Sequence, residues 1–377
     1  MRQRYRVVNY DYYILAAFIV LVLIGLFMQL DISSVQTEMR SFYKQFIWFI
    51  LSLFAVWFGF KVINLKKIRK FAFIFVILSF LMLIAVLIFG KEINGAKRSI
   101  SFMGVSFQPS LLSRIVLVFY FAHILDKNKY YIKYSSPKGF MKYFSSLLVI
   151  TMITYFLIYF EHHLSIIIIS GLTLISLLWL ANIKQSTLLT FFCLLIIISS
   201  LVLLYGSKYR SKRIRIFKKY SLYHKLLGLE TNADKKVDDF QIRQSLISLA
   251  SGKLLGTGPK YGVGKHKYVP EAETDYIFSI IGEEFGFVGS VIIIFLYTFI
   301  FIRGFISSNK NKDLFLKLLG FGLTLNIFFN ALVNLGVSMS ALPSTGVTLP
   351  FISYGGTSLL INAFSVGLIL NISAKKR

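Results

Sequence analysis

The sequence predicts an all-α polytopic membrane protein. Its mean hydropathy is +0.70, 56% of its 377 residues are hydrophobic, and the apolar residues come in blocks long enough to cross a hydrocarbon core of about 30 Å. Ten transmembrane helices are expected, at 12–30, 45–63, 71–90, 106–125, 143–160, 164–183, 187–206, 276–302, 315–337 and 351–372. The first block is full-length and lacks a small-residue cleavage site after it, so it reads as a retained span and not a signal peptide. The fourth is interrupted by Gln108, Pro109 and Arg114. Between the fifth and sixth, Glu161-His162-His163 reads as a tight hairpin and not as the middle of one long helix.

Lys and Arg in short loops favour the cytoplasm. Arg2, Arg4 and Arg6 precede the first span, Lys66, Lys67, Arg69 and Lys70 follow the second, and Lys127, Lys129, Lys133, Lys138 and Lys142 follow the fourth. Arg303, Lys310, Lys312 and Lys317 follow the eighth, and Lys375, Lys376 and Arg377 end the chain. Both termini are therefore expected in the cytoplasm. Residues 1–377 form one membrane domain with a large extracytoplasmic loop at 207–275. From Lys208 to Asp275 fifteen Lys or Arg face seven Asp or Glu, a net +8, which suits anionic headgroups or phosphorylated lipids and equally suits plain solvation. The overall +26 is mostly topological and carries no nucleic-acid signal. The single Cys193 lies in an apolar block, excludes an intramolecular disulfide, and is expected to pack.

Of the six prolines, only Pro109 falls within an expected span. Gly252, Gly256, Gly258, Gly262 and Gly264 are expected to give a flexible approach to the membrane surface. A phosphate-loop reading fails because no Gly-Lys is followed by Ser or Thr and no strand precedes the string. The stretch 340–358, with Pro343, Gly346, Pro350, Gly355, Gly356 and several hydroxyls, is irregular yet apolar. Irregular backbone at membrane depth survives where protein or a water-filled cavity satisfies it, so a re-entrant loop lining a cavity is expected.

Asp275 ends a hydrophilic segment and Tyr276 opens an apolar helix. At that boundary, reduced solvation can lift a carboxyl toward the range of a working general base. Glu283 and Glu284 lie two turns further on, inside the span, where acids form functional sites or structural pairs. Glu271 and Glu273 could raise the pKa of Asp275 by like-charge repulsion. Arg114, an arginine inside an apolar span, should face a cavity or a partner, the plainer alternative being an ion pair with Glu283 or Glu284. His162 and His163 lack the spacing of a helical metal pair and are given no catalytic weight.

Three segments carry a family resemblance: Pro270-Glu-Ala-Glu-Thr-Asp275 with its continuation to Gly289, Leu342-Pro-Ser-Thr-Gly-Val-Thr-Leu-Pro350-Phe-Ile-Ser-Tyr-Gly-Gly-Thr357-Ser358, and Gln108-Pro-Ser110. Together with 241–245, 251–258 and Tyr209-Arg210-Ser-Lys-Arg213, they resemble the SEDS family of shape, elongation, division and sporulation proteins, in the same order from about Arg98 to the C-terminus. The wording is nearer the division and sporulation members than the elongation member. The resemblance implies a ten-helix peptidoglycan glycosyltransferase that polymerises lipid II at the outer face of the bacterial cytoplasmic membrane, beside a class B penicillin-binding protein. The chain departs from the pattern where Leu111 replaces an acid, Arg114 a lysine, Ser99 a tryptophan, Glu161-His162-His163 an acidic-Pro-Asp turn, and Glu273 a histidine.

That reaction needs a base at a sugar hydroxyl and positive charge at a departing diphosphate. Asp275 takes the first role; one carboxylate suffices for an inverting single displacement. For substrate binding the candidates are Arg114 first, then Arg98, Arg210 and Arg213, whose guanidinium forks match phosphate oxygens, with Gln108 and Ser110 from the family motif. A divalent cation, Mg or Mn, could share the task, although no acids show diagnostic ligand spacing. The rival readings are a flippase or other transporter, disfavoured because no repeat relates the two halves, and a non-catalytic scaffold that activates a penicillin-binding protein.

Overall fold

The computed structural model describes residues 7–35, 39–93, 96–102, 105–204, 208–221 and 239–376. The helices are α1 (Tyr12–Val35), α2 (Arg40–Trp57, extended by a π turn at Phe58–Val62), α3 (Ala72–Phe89), α4 (Pro109–Lys127), α5 (Pro137–Phe160), α6 (Leu164–Leu180) and α7 (Gln185–Leu204). After these come α8 (Lys208–Tyr220), α9 (Phe240–Ser251), α10 (Ile277–Asn309), α11 (Leu314–Ser338) and α12 (Gly356–Ser373). Among the described residues eight helices are long and apolar enough to cross a membrane: α1 to α5 and α10 to α12. The sixth and seventh expected spans correspond to α6 and α7, both apolar. The protein is a multi-pass helical bundle.

The strands are short. β1 (Val7–Asn9) pairs with β6 (Lys375–Lys376), bringing the two ends of the described chain together at one end of the bundle. β2 (Glu92–Ile93) with β3 (Ala96–Lys97), and β4 (Ile100–Phe102) with β5 (Val105–Phe107), form two hairpins at the other end. The fourth span therefore starts at Pro109 and not at Ser106. Ser106 and Phe107 are strand residues, and proline takes the first turn of α4, where its missing N–H costs nothing.

The centre of the bundle is α11, which packs on α4, α6, α10 and α12. Lipid-buried helices associate through small and amide side chains more than through apolar bulk, and α11 carries Gly320, Gly322, Asn326, Asn330, Asn334 and Gly336, all buried. A Cβ at Gly322 would lie 2.4 Å from Val118 Cγ1, and one at Gly320 2.2 Å from Ser308 Oγ. Helices α2 and α3 turn large side chains outward, Phe54 and Phe73 among them, as lipid-facing helices do. Cys193 is exposed on α7 and does not pack, contrary to expectation.

The glycines before Asp275 are not a flexible approach. A Cβ at Gly252 would meet Gly282 O at 1.9 Å, and one at Gly256, where φ is +88°, would meet Glu284 O at 2.1 Å. They let a turn press its backbone against α10. Helix α10 breaks there, with Gly286 at φ 65° and ψ −159°, and Thr257 N and Gly258 N donate to the carbonyls of Glu283 and Glu284 at 2.9 and 3.0 Å.

Candidate functional site

Asp275 sits one residue before Tyr276, the N-cap of α10, in a segment held by its backbone. Asn334 Nδ2 donates to Asp275 O at 2.9 Å and to Val347 O at 2.7 Å, Ser353 Oγ to Thr274 O at 2.5 Å, Tyr354 N to Glu273 O at 2.8 Å, and Gln29 Nε2 to Glu273 O at 3.1 Å. The irregular loop 340–355 is thus the cradle of the acid's backbone. Its apolar members Val347, Leu349, Phe351 and Ile352 are buried, while the Ser353 hydroxyl and the Val347 carbonyl are used in these bonds, which is the chemistry expected of re-entrant backbone.

The Asp275 carboxyl faces Gly346. A Cβ on that glycine, whose φ is +70°, would stand 3.5 Å from Asp275 Oδ2 and 3.8 Å from Arg98 Nη1, so the acid and the guanidinium border the same glycine. Burial pushes the Asp275 carboxyl up to about 6, Glu271 adds to the rise, and Arg213 and Arg98 pull the other way. Glu271 is exposed at φ 57° and accepts from Thr274 Oγ1 at 2.9 Å. Glu273 has its own carboxyl raised, by burial first, and supplies its backbone carbonyl to the cradle.

Arg98 Nη2 donates to His162 O at 2.9 Å and Arg213 Nη1 to Ser344 O at 3.0 Å, which anchors both beside the loop. Arg210 belongs to α8, but its side chain lies outside the described residues. Arg98 and Arg114, together with Gln108, His163, Asn330 and the start of α12 at Gly356, line a cavity of about 230 Å³ that reaches Gly346. Arg114 is 1% exposed; Nη1 donates to Asn330 Oδ1 at 3.3 Å, and Nε has no acceptor among the described residues. Ser110 is buried with its hydroxyl 3.5 Å from His163 Nδ1, and Gln108 Nε2 lies 2.8 Å from the same nitrogen. Two residues given no weight in the sequence lie here, His163 in the cavity wall and Glu161 beside Ser110 and Arg98. Burial and the charges of Arg98, Arg114 and Arg213 hold His163 well below its usual value and therefore neutral. Burial drives Glu161 up to about 8, against Ser110 and Arg98.

Glu283 and Glu284 do not pair with Arg114. Glu283 accepts from Val263 N at 2.8 Å and from Gly264 N at 3.0 Å. Glu284 Oε1 meets Lys265 Nζ at 2.5 Å, and the same ammonium meets Asp31 Oδ2 at 2.5 Å, with Lys265 wholly buried. This clamp ties the segment leading to Asp275 onto α1 and α10. It was missed because Asp31 and Lys265 lie 234 residues apart. The available signal was an acid directly at the end of the first apolar block, where a helix continuing past Leu30 buries a residue type that demands a partner.

The helical bundle, with the Asp275 carboxyl and several guanidiniums gathered at one end, defines an integral membrane protein with a polar site. The chain belongs to the FtsW, RodA and SpoVE family of cell cycle proteins, whose model matches residues 10–377. It is 31% identical over 385 residues to a probable peptidoglycan glycosyltransferase FtsW of Buchnera aphidicola, covering 100% of this chain and 97% of that one. It is 32% identical to the protein of the same name from Geobacter metallireducens, covering 98% and 96%. Among solved structures it resembles a chain of a peptidoglycan synthase complex, with TM-score 0.77, 24% identity and coverage of 97% and 98%. It also resembles the rod shape determining protein RodA of Thermus thermophilus, with TM-score 0.67, 21% identity and coverage of 97% of each chain. These two similarities show the fold.

Proposed function

We propose that this chain is a peptidoglycan glycosyltransferase that polymerises lipid II, with Asp275 as the general base of an inverting single displacement. The observation that carries this is the placement of Asp275, its pKa raised to about 6, across Gly346 from Arg98, where Gly346 and Arg98 both line a cationic cavity. The acceptor's 4-hydroxyl gives its proton to the carboxylate as its oxygen bonds to the anomeric carbon of the donor. The bond from that carbon to the diphosphate breaks, and the lipid diphosphate leaves. Arg98, Arg114 and Arg213, with Arg210, Gln108 and Ser110, are the proposed substrate contacts, since fixed positive charge lowers the cost of the departing anion. Glu271 tunes the base, Glu273 shapes its loop, and Glu283 and Glu284 are structural.

In this reading α6 and α7 complete ten spans, residues 207–275 form the extracytoplasmic loop of a single 1–377 domain, and both termini lie in the cytoplasm of a bacterium. The paired strands β1 and β6 support a common side for the termini. A class B penicillin-binding protein is the proposed partner, in division or shape maintenance. Among the described residues no three carboxylate, His or Cys side chains converge as a metal site. A wall of guanidiniums does not fit a resident Mg or Mn ion.

The test is polymerisation of fluorescent lipid II by the purified protein with its partner. A glycan ladder is expected, and Asp275→Ala should remove it while the two proteins still co-purify. A ladder of undiminished yield from that variant would leave the chain a scaffold.

A further inference from the structure

The turn at 252–258 exposes two apolar side chains at the Asp275 end of the molecule, Leu254 at 62% and Leu255 at 76%. Two ionic contacts show how deep this turn lies. At one end of the bundle Asp11 Oδ2 meets Arg303 Nη2 at 2.8 Å; at the other Lys265 bridges Asp31 and Glu284. Along α1, Asp11 and Asp31 are twenty residues apart, about 30 Å at ~1.5 Å per residue, which matches the hydrocarbon thickness of a bilayer. Along α10 the spacing from Glu284 to Arg303 is nineteen, so both helices set the same two boundaries.

The turn lies inside the boundary on the Asp275 side. Phe287 N donates to Lys253 O at 2.9 Å and Val288 N to Leu254 O at 3.2 Å, which puts the leucines level with Val288, about one helical turn of ~5.4 Å below Glu284. Backbone at that depth must be satisfied by protein. Here it is: Gly256 N donates to Gly252 O at 2.7 Å, and Thr257 N and Gly258 N donate to the carbonyls that the break in α10 leaves open. The apolar tip continues into the exposed stripe Phe287, Val291, Ile292 and Phe295 of α10, a membrane-facing surface. Around it lie the residues of an interface: exposed Lys253 and Lys260, and Tyr261 at 79% exposure.

We infer that the 252–258 turn is a re-entrant lipid anchor, with Leu254 and Leu255 inserted in the acyl region of the leaflet on the Asp275 side, its occupant being bilayer lipid. Through the Lys265 clamp, the anchor fixes the height of the segment that carries Asp275 relative to the headgroups. The inference rests on the bundle spanning a membrane and not on the reaction assigned to it.

The full-length protein with Cys193→Ser, carrying Leu255→Cys labelled with a nitrobenzoxadiazole fluorophore, would be reconstituted in phosphatidylethanolamine–phosphatidylglycerol vesicles. Lys260→Cys serves as the water-facing reference and Phe295→Cys as the lipid-facing one. The label at 255 is expected to be quenched by nitroxide-bearing lipids as at 295 and to be reduced by external dithionite far more slowly than at 260. Reduction at the rate seen at 260 would overturn the inference. So would protection from both reagents, which means that protein covers the tip. Because the readout is the probe's surroundings, a catalytically silent protein tests the anchor equally well.

Discussion

Replacing Asp275 with Asn should make the protein more stable while stopping its chemistry. In the folded chain the carboxyl titrates at about 6 instead of 3.8, because burial and Glu271 disfavour its ionised form more than Arg213 and Arg98 favour it. That rise corresponds to about 3 kcal/mol against the folded state once the acid is ionised, at 1.36 kcal/mol per pH unit. Because the folded-state value is raised, the folded protein holds the proton more tightly than the unfolded chain. No cost exists below about 4; stability falls as the pH rises toward 6, and above 6 the full cost is present. Asn carries no charge at any pH. The unfolding midpoint of Asp275→Asn in detergent should therefore exceed the parent's at pH 8, and the gap should close by pH 4. A variant less stable than the parent at pH 8, or a gap independent of pH, would refute the burial argument.

The Lys265 clamp predicts that Lys265→Met costs about 3–5 kcal/mol, since it leaves Asp31 and Glu284 buried without their cation; adding Glu284→Gln should recover part of the lost unfolding midpoint. Gly256→Ala places a Cβ 2.1 Å from Glu284 O at φ +88°, so it should lower the midpoint by more than the ~1–2 kcal/mol of a left-handed non-glycine residue alone. Arg114→Met removes a buried guanidinium that donates to the neutral Asn330 amide, and should leave the fold as stable or more so. If Arg114 binds the diphosphate, the same variant should raise KM for lipid II, as measured by initial polymerisation rates.

Much of the architecture was legible because membrane spans announce themselves by length and hydropathy, and the apolar blocks overlie α1 to α7 and α10 to α12. The start of α4 was misplaced, since composition alone does not distinguish strand residues 105–107 from a helix that proline begins. The glycines at 252–264 were misread for a related reason. Sequence records that a residue is small, not whether the room is used for motion or for contact with Gly282 and Glu284. Asp275 could be singled out because it stands at a polar-to-apolar boundary. The cavity could not, because its wall gathers Arg98, Arg114, His163, Asn330 and Gly356 from five separate stretches. Glu284 gave no hint of its partner for the same reason: pairing over such sequence distances is a property of the packed bundle.

The central claim is that the Asp275 carboxylate takes the proton of the attacking sugar hydroxyl. It is tested most directly by the initial rate of glycan formation from lipid II between pH 5 and 8, measured on the purified protein with its partner. A group that must be ionised and titrates at about 6 predicts a plateau above pH 7 and a rate at pH 5 about tenfold below it. A rate that is flat across this interval, or highest at pH 5, would contradict the assignment.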